Sequence, residues 1–277
     1  MSNPLLDFSG LPRFADFQTE YVTTAIDALL KENRALLEQV RSDRQPVTWQ
    51  NFVQPMVDAN ERLSRAWGQV SHLNAVMNNL QLREVYNQNL PLITQFYAEL
   101  SQDLALFEKF KQLRKSNEFQ GLSTARKKII DNELRDFRLG GAELTADKKQ
   151  RFLEIQEALS KLSSNFSDNL LDATNAFALY IESEDTVKGI PNDVLQMAQE
   201  QAAADTKVGW KFTLHMPSYL PVMQYANNRD LREKMYHAYV TRASELERIT
   251  EADLDNMPII NSILKLRQEA AELLGYS

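Results

Sequence analysis

Cysteine is missing from all 277 residues, so the chain can build no disulfide framework, no thiolate metal site and no cysteine nucleophile, and a reducing compartment suits it. Histidine is almost as scarce, at His72, His215 and His237 only. None of the three lies in H-E-x-x-H, the helical pattern that sets two histidines one turn apart on a zinc ion with a glutamate as base. With 8 glycines in the chain there is no Gly-rich phosphate loop, no dinucleotide fingerprint and no G-x-S-x-G elbow. Positive charge is in deficit as well: 31 Lys+Arg face 38 Asp+Glu, and a net charge of −7 repels a phosphate backbone, which argues against a nucleic-acid partner. No apolar run approaches the roughly 20 residues that cross a bilayer. The opening stretch, Met1 to Phe8, has neither a basic region nor a long apolar segment of the kind that directs export. Membrane insertion and secretion are disfavoured, and a cytoplasmic location is expected.

What is present is apolar material at helical spacing. Hydrophobic residues make up 43% of the chain, enough for one large core or two smaller ones. Val22, Ile26, Leu29, Leu30, Leu37 and Val40 mark an amphipathic helix from Glu20 to about Arg41. Thr48 is a good N-cap for a segment from Trp49, and Pro55 must kink or restart it before its end near Val76. Leu80 to Leu113 reads as helical with its break at Pro91, and Thr124 to Leu139 as a helix stopped by Gly140-Gly141, whose positive φ ends it. The longest clean pattern, Phe152, Ile155, Leu159, Leu162, Phe166 and Leu170, predicts the most regular helix and a structural spine. Two stretches leave helical period, Ala176 to Ile181 and Trp210 to Leu214, and read as strands bracketing a helix begun at Pro191. Helices over Pro217 to Ala226, Asn228 to Ala243 and Pro258 to Leu274 complete the series. The expected fold is all-α with a minor antiparallel strand pair near 177–181 and 210–214. No repeat near 34 or 40 residues is visible, nor any low-complexity block. The 277 residues form one helical region, with 140–145 as the place where it would subdivide.

Residue types that carry chemistry do not converge. Glu233 and His237 stand four apart on a predicted helix, yet no second histidine or third carboxylate accompanies them, so they read as an ordinary surface hydrogen bond. His72 reads as a buried, hydrogen-bonded histidine at a helix end, and His215, ending the second strand, reads likewise. The carboxylate sets Asp131, Glu133, Asp136 and Glu251, Asp253, Asp255 read as solvated charge, and Arg126-Lys127-Lys128 as a helix face. Phe107, Phe110 and Leu113, and also Tyr236, Tyr239 and Val240, sit at core spacing and read as packing. No catalytic or metal-binding residue is assigned in this chain, and no substrate-binding residue can be named.

Several blocks resemble one known family. They are Asn3-Pro4-Leu5-Leu6 with Leu11-Pro12-x-Phe14; Val70-Ser71-His72-Leu73-Asn74; Asn132-Glu133-Leu134-Arg135-Asp136-Phe137; and Leu170-Leu171-Asp172-Ala173-Thr174. Further along come Pro217-Ser218-Tyr219-Leu220-Pro221-Val222-Met223, Arg242-Ala243-Ser244, and Ile263-Leu264-x-Leu266-Arg267-x-Glu269-x-Ala271-x-Leu273-Leu274-Gly275. In order and spacing the set is similar to the N-terminal portion of the thimet oligopeptidase family of zinc metallopeptidases, along the whole chain. The resemblance implies a mostly helical wall of a deep channel in which short peptides are cleaved. It also implies a zinc ion bound in a C-terminal catalytic part that is absent here, so that this chain alone is catalytically silent. Short peptides and that catalytic part are the partners implied, and apolar surface left uncovered would favour self-association. The alternative is a helical binding or scaffold protein with no enzymatic role.

Overall fold

The computed structural model describes residues 3–246 and 253–276. Helices make up 75% of the protein, and a two-stranded antiparallel sheet is the one sheet among the described residues. The chain divides into two compact units, Met1–Lys161 with Leu266–Ser277, and Leu162–Lys265.

In the first unit, α1 (Glu20–Ser42) packs its stripe of Val22, Ile26, Leu29, Leu30, Leu37 and Val40 inward, as the spacing predicts. Thr48 caps the next segment reciprocally with Asn51, but the capped turn, Trp49–Val53, is a π turn. Helix α2 (Gln54–Val76) restarts after it with Pro55 in its first turn, where a missing N–H costs nothing. Buried Asn33 on α1 donates from Nδ2 to the carbonyls of Leu29 (2.8 Å) and Ala59 (3.2 Å), which stitches α1 to α2.

Pro91 does not break the third helix. It sits inside α3 (Leu80–Ser101), and the interruption falls at Gln102 and Asp103. An interior proline costs about 3 kcal/mol, and burial of Leu82, Ile93 and Phe96 on the same helix offsets that cost. Asp103 decides the boundary instead: its Oδ1 accepts from the Leu106 N–H and caps α4 (Leu104–Lys115), while its other oxygen pairs with Arg41 at the end of α1. Short α5 (Asn117–Gly121) leads to α6 (Thr124–Leu139), capped by Ser123. Phe107 and Phe110 of α4 pack on Phe137 of α6 at 5.6 Å between ring centroids, as expected of core residues.

Helix α7 (Ala146–Ala176) is the longest, at 31 residues, and contributes to both units. Its predicted apolar stripe is uneven: Phe152 and Ile155 are buried, whereas Leu159, Leu162, Phe166 and Leu170 are only half-buried. At its N-terminal end Arg151 meets Glu269 with two bonds, Nε to Oε1 at 2.6 Å and Nη2 to Oε2 at 2.8 Å.

The second unit holds the strand pair β1 (Leu179–Ile181) and β2 (Trp210–Phe212), in register Leu179 to Phe212 and Ile181 to Trp210. Between them lie α8 (Glu184–Val187), which the periodicity did not predict, and α9 (Asn192–Ala204), which starts after Pro191 as expected. Asp205, just past α9, accepts from Tyr180 Oη at 2.7 Å and from Lys211 Nζ at 2.5 Å, so one carboxylate clamps both strands to the helix end. Those two donors, Lys211 foremost, hold Asp205 below the usual carboxylate range. Phe212, Leu214, Val222, Leu231 and Met235 form this unit's core. It is completed by α10 (Met216–Tyr225), α11 (Arg229–Thr241) and α12 (Met257–Leu273), whose last turns belong to the first unit.

Candidate functional site

The three histidines sit on three separate elements and do not converge. His72, near the end of α2, is exposed with its ring against Phe14 at 5.6 Å, so the expectation of a buried histidine is corrected: its neighbour Leu73 takes the core position. His215 is exposed too and precedes α10, because β2 ends three residues before it. His237 lies on the outer side of α11 with Glu233. Among the described residues no three of His, Asp and Glu come together in a way that could hold a metal. The described residues therefore offer no zinc site through which a reaction step could be routed.

The carboxylate sets separate by environment. Asp131 pairs with Arg114 at 2.6 Å and Asp136 with Arg135 at 2.8 Å, both at the surface. Asp255 accepts from the Met257 N–H at 2.8 Å and starts α12; Glu251 lies outside the described residues. Glu133 differs from its neighbours. It borders a cavity of about 90 Å³ otherwise lined by Leu36, Leu37, Val53, Met56 and Phe96, with Asn33 and Asn60 as polar members. Burial first, then the Asp136 charge, push its carboxyl above the usual range, so it is not the fully solvated charge that its place in an acidic run suggests. A folded-state value above the unfolded one means that stability is fully present below the unfolded pKa and is lost as pH rises through the folded one. Glu133→Gln is accordingly expected to raise the unfolding midpoint at neutral pH and to leave it unchanged near pH 3. A variant no more stable than the parent at pH 7 would contradict this placement.

In the basic run, the Arg126 guanidinium lies over Trp49 at 4.7 Å, and Lys127 Nζ donates to the Gln120 carbonyl at 2.8 Å. These two charges are structural, as a helix-face reading requires.

The reading of Tyr236, Tyr239 and Val240 as packing is overturned for two of the three. Helix α11 buries Leu231, Met235 and Ala238, a stripe displaced by one residue, which turns Tyr236 and Val240 outward at 53% exposure each and leaves Tyr239 half-buried. Tyr239 stacks on Tyr219 of α10 at 4.2 Å with ring planes 16° apart, and the Arg242 guanidinium covers the Tyr239 ring at 3.8 Å. Tyr239 Oη approaches Met216 Sδ at 3.8 Å. Burial foremost raises the Tyr219 hydroxyl above its usual value, the Tyr239 and Tyr236 hydroxyls add to this, and Arg242 opposes it. Helical periodicity could have placed these residues on a common face, but not which face was the outer one.

Against known sequences, residues 26–149 match the family Neurolysin/Thimet oligopeptidase, N-terminal domain, and residues 222–277 match Peptidase family M3. Three relatives align with essentially the entire chain: Oligopeptidase A of Haemophilus influenzae at 45% identity, and the proteins of that name from Salmonella typhimurium and Escherichia coli at 41% each. The chain spans 40% of the length of each of these relatives.

Proposed function

We propose that the chain is a member of the thimet oligopeptidase family of peptidases, family M3, and forms the N-terminal, channel-building part of a zinc oligopeptidase acting on short peptides. The observation that carries the proposal is the end-to-end alignment with Oligopeptidase A at 41–45% identity, over 40% of that protein's length. On this reading the chain supplies wall and support, and the zinc ligands and the groups that attack the peptide bond come from the remaining 60% of such a protein. Restriction to short, unfolded peptides follows from a narrow channel, since a folded domain cannot enter a cleft built for an extended chain. Its surroundings are the cytoplasm, for which the cysteine-free composition is the support.

A chimera tests this. The 277 residues replace the corresponding first part of Haemophilus influenzae Oligopeptidase A, and hydrolysis of a quenched fluorescent peptide is followed with and without a chelator. The chimera is expected to cleave the peptide in a chelator-sensitive manner, and the 277-residue chain to show no turnover and no zinc after dialysis. One tightly held zinc per 277-residue chain, with peptidase activity of its own, would overturn the proposal; so would a folded chimera without activity.

A further inference from the structure

The outer face of α10 and α11 carries an arginine that has no acidic partner among the described residues. Arg242 is the first residue past α11, and its one contact among the described residues is with the Tyr239 ring. Arg41, Arg62, Arg114 and Arg151, by contrast, each meet a carboxylate. The guanidinium keeps five N–H donors, and stacking over Tyr239 fixes its plane without occupying them.

Its backbone is held as firmly as its side chain. Ala243 stands at φ 51°, in the left-handed region that a residue with a Cβ enters only under strain. Three bonds lock that turn: the Ser244 hydroxyl donates to the Thr241 carbonyl at 2.6 Å, the Thr241 hydroxyl to the His237 carbonyl at 2.7 Å, and the Asn256 N–H to the Ala243 carbonyl at 3.0 Å. Asn256 is itself 2% exposed and anchored by its side chain to the Phe166 carbonyl and to Asn169. Strain retained by so many fixed partners points to a geometry the fold keeps for use, in this case the aim of Arg242.

Tyr236 and Tyr239 stand three residues apart on α11, one turn before Arg242, and the Tyr219 ring backs Tyr239 from α10. Tyr239 spends its proton on a thioether, a weak acceptor, and Tyr236 is 53% exposed. Beside them Met216, Leu220 and Val240 present apolar surface at 41–53% exposure. A preset cation, phenolic donors and an apolar margin are what a carboxylate attached to an apolar chain requires.

We propose that Arg242, with Tyr236 and Tyr239, forms a carboxylate-binding site for peptides, taking either a C-terminal carboxylate or an acidic side chain. The proposal rests on the peptide-channel reading above and specifies one subsite of it: the site selects and orients a peptide by its negative end. No bond is made or broken there, and Arg242 is a positioning residue.

The test follows backbone amide shifts of the 277-residue chain during titration with three N-acetylated pentapeptides: penta-alanine as free acid, penta-alanine as C-terminal amide, and the amide with a central glutamate. The free acid, the glutamate peptide or both are expected to bind about tenfold tighter than the plain amide, the worth of one charge-assisted contact, with shifts concentrated on residues 216–243. Comparing the two acids tells which source of carboxylate the site prefers. Arg242→Gln should abolish the discrimination while leaving plain-amide binding and the thermal midpoint unchanged, and Arg242→Lys should restore part of it. Should Arg242→Gln not fold, Tyr236→Phe, at an exposed position, carries the test and should weaken acid binding about threefold, as loss of one hydrogen bond would. Equal binding of acid and amide, or discrimination that survives Arg242→Gln, would overturn the site and leave the channel reading standing. Absence of binding by all three peptides would overturn the site, while the chimera would still report independently on the channel.

Discussion

Phe152→Ala is expected to lower the stability of the protein by roughly 3–5 kcal/mol, the range for removing a phenylalanine from a packed core, and Phe166→Ala by only about 1–2 kcal/mol, as befits partial burial. Both residues lie on one face of α7, and by sequence alone they are equivalent. Phe152 is 4% exposed and sits beside Ile155 at 0%, so truncation leaves a void whose lining side chains lose their contacts. Phe166 is half-buried, and solvent can enter the space its ring leaves. Denaturant unfolding monitored at more than one wavelength would measure both, since a chain with two compact units need not unfold in one step. Equal losses for the two variants would show that the second half of the stripe is as deeply packed as the first.

Gly209→Ala should cost roughly 2–4 kcal/mol, from strain and overpacking together. Gly209 precedes β2 with φ 90°, a conformation in which a side chain is strained wherever it is placed. A Cβ there would also lie well inside van der Waals distance of the Ile181 carbonyl oxygen, and that oxygen belongs to β1 and cannot swing aside as a side chain would. With three residues per strand the pair has little ladder to lose. The expected readout is a lowered unfolding midpoint together with early hydrogen exchange at the amides of β1 and β2. A stability within about 0.5 kcal/mol of the parent's would mean that the strand pair moves aside without cost.

Most of the helical layout was legible because it depends on periodicity and local capping, both of which are written in neighbouring residues. Glu20, Thr48, Thr124 and Pro191 each lie within one residue of an observed boundary. The exceptions share a cause. Pro91 was expected to end a helix, but whether an interior proline is tolerated depends on how well the rest of its helix packs, which is tertiary information. Tyr236 and Val240 were expected inside, but two stripes one residue apart, Leu231-Met235-Ala238 and Tyr236-Tyr239-Val240, are nearly equal in apolar content, and only the partner helices choose between them. His72 was expected to be a buried, hydrogen-bonded residue at a helix end, but which residue of the Ser71-His72-Leu73-Asn74 run turns inward depends on the helix's rotation, and Leu73 takes that position. Of the candidate site, the resemblance supplied the words Pro217-Ser218-Tyr219 and Arg242-Ala243-Ser244 without their use. The stacking of Arg242 on Tyr239 joins two residues three apart, a spacing visible in a sequence, but the stack itself and the left-handed turn at Ala243 are properties of the folded chain.

Gly140 and Gly141 stop the same helix for different reasons, and the difference bears on how the sequence is free to drift. Gly141 is required by its φ of 88°, whereas Gly140, at φ −79°, has a backbone that any residue could adopt. Its side-chain position is instead already taken: a Cβ at 140 would collide with the Cβ of Ser101, at the end of α3, and come within 2.7 Å of its hydroxyl. Positions 101 and 140, thirty-nine residues apart in the chain, therefore constitute one steric allowance divided between two helix ends. A lineage that acquired even alanine at 140 would have to surrender the side chain at 101, with the bond from the Ser101 hydroxyl to the Ala98 carbonyl, or move the two helix ends apart. The two sites should accordingly vary together among descendants of this sequence, while 141 keeps glycine on its own account.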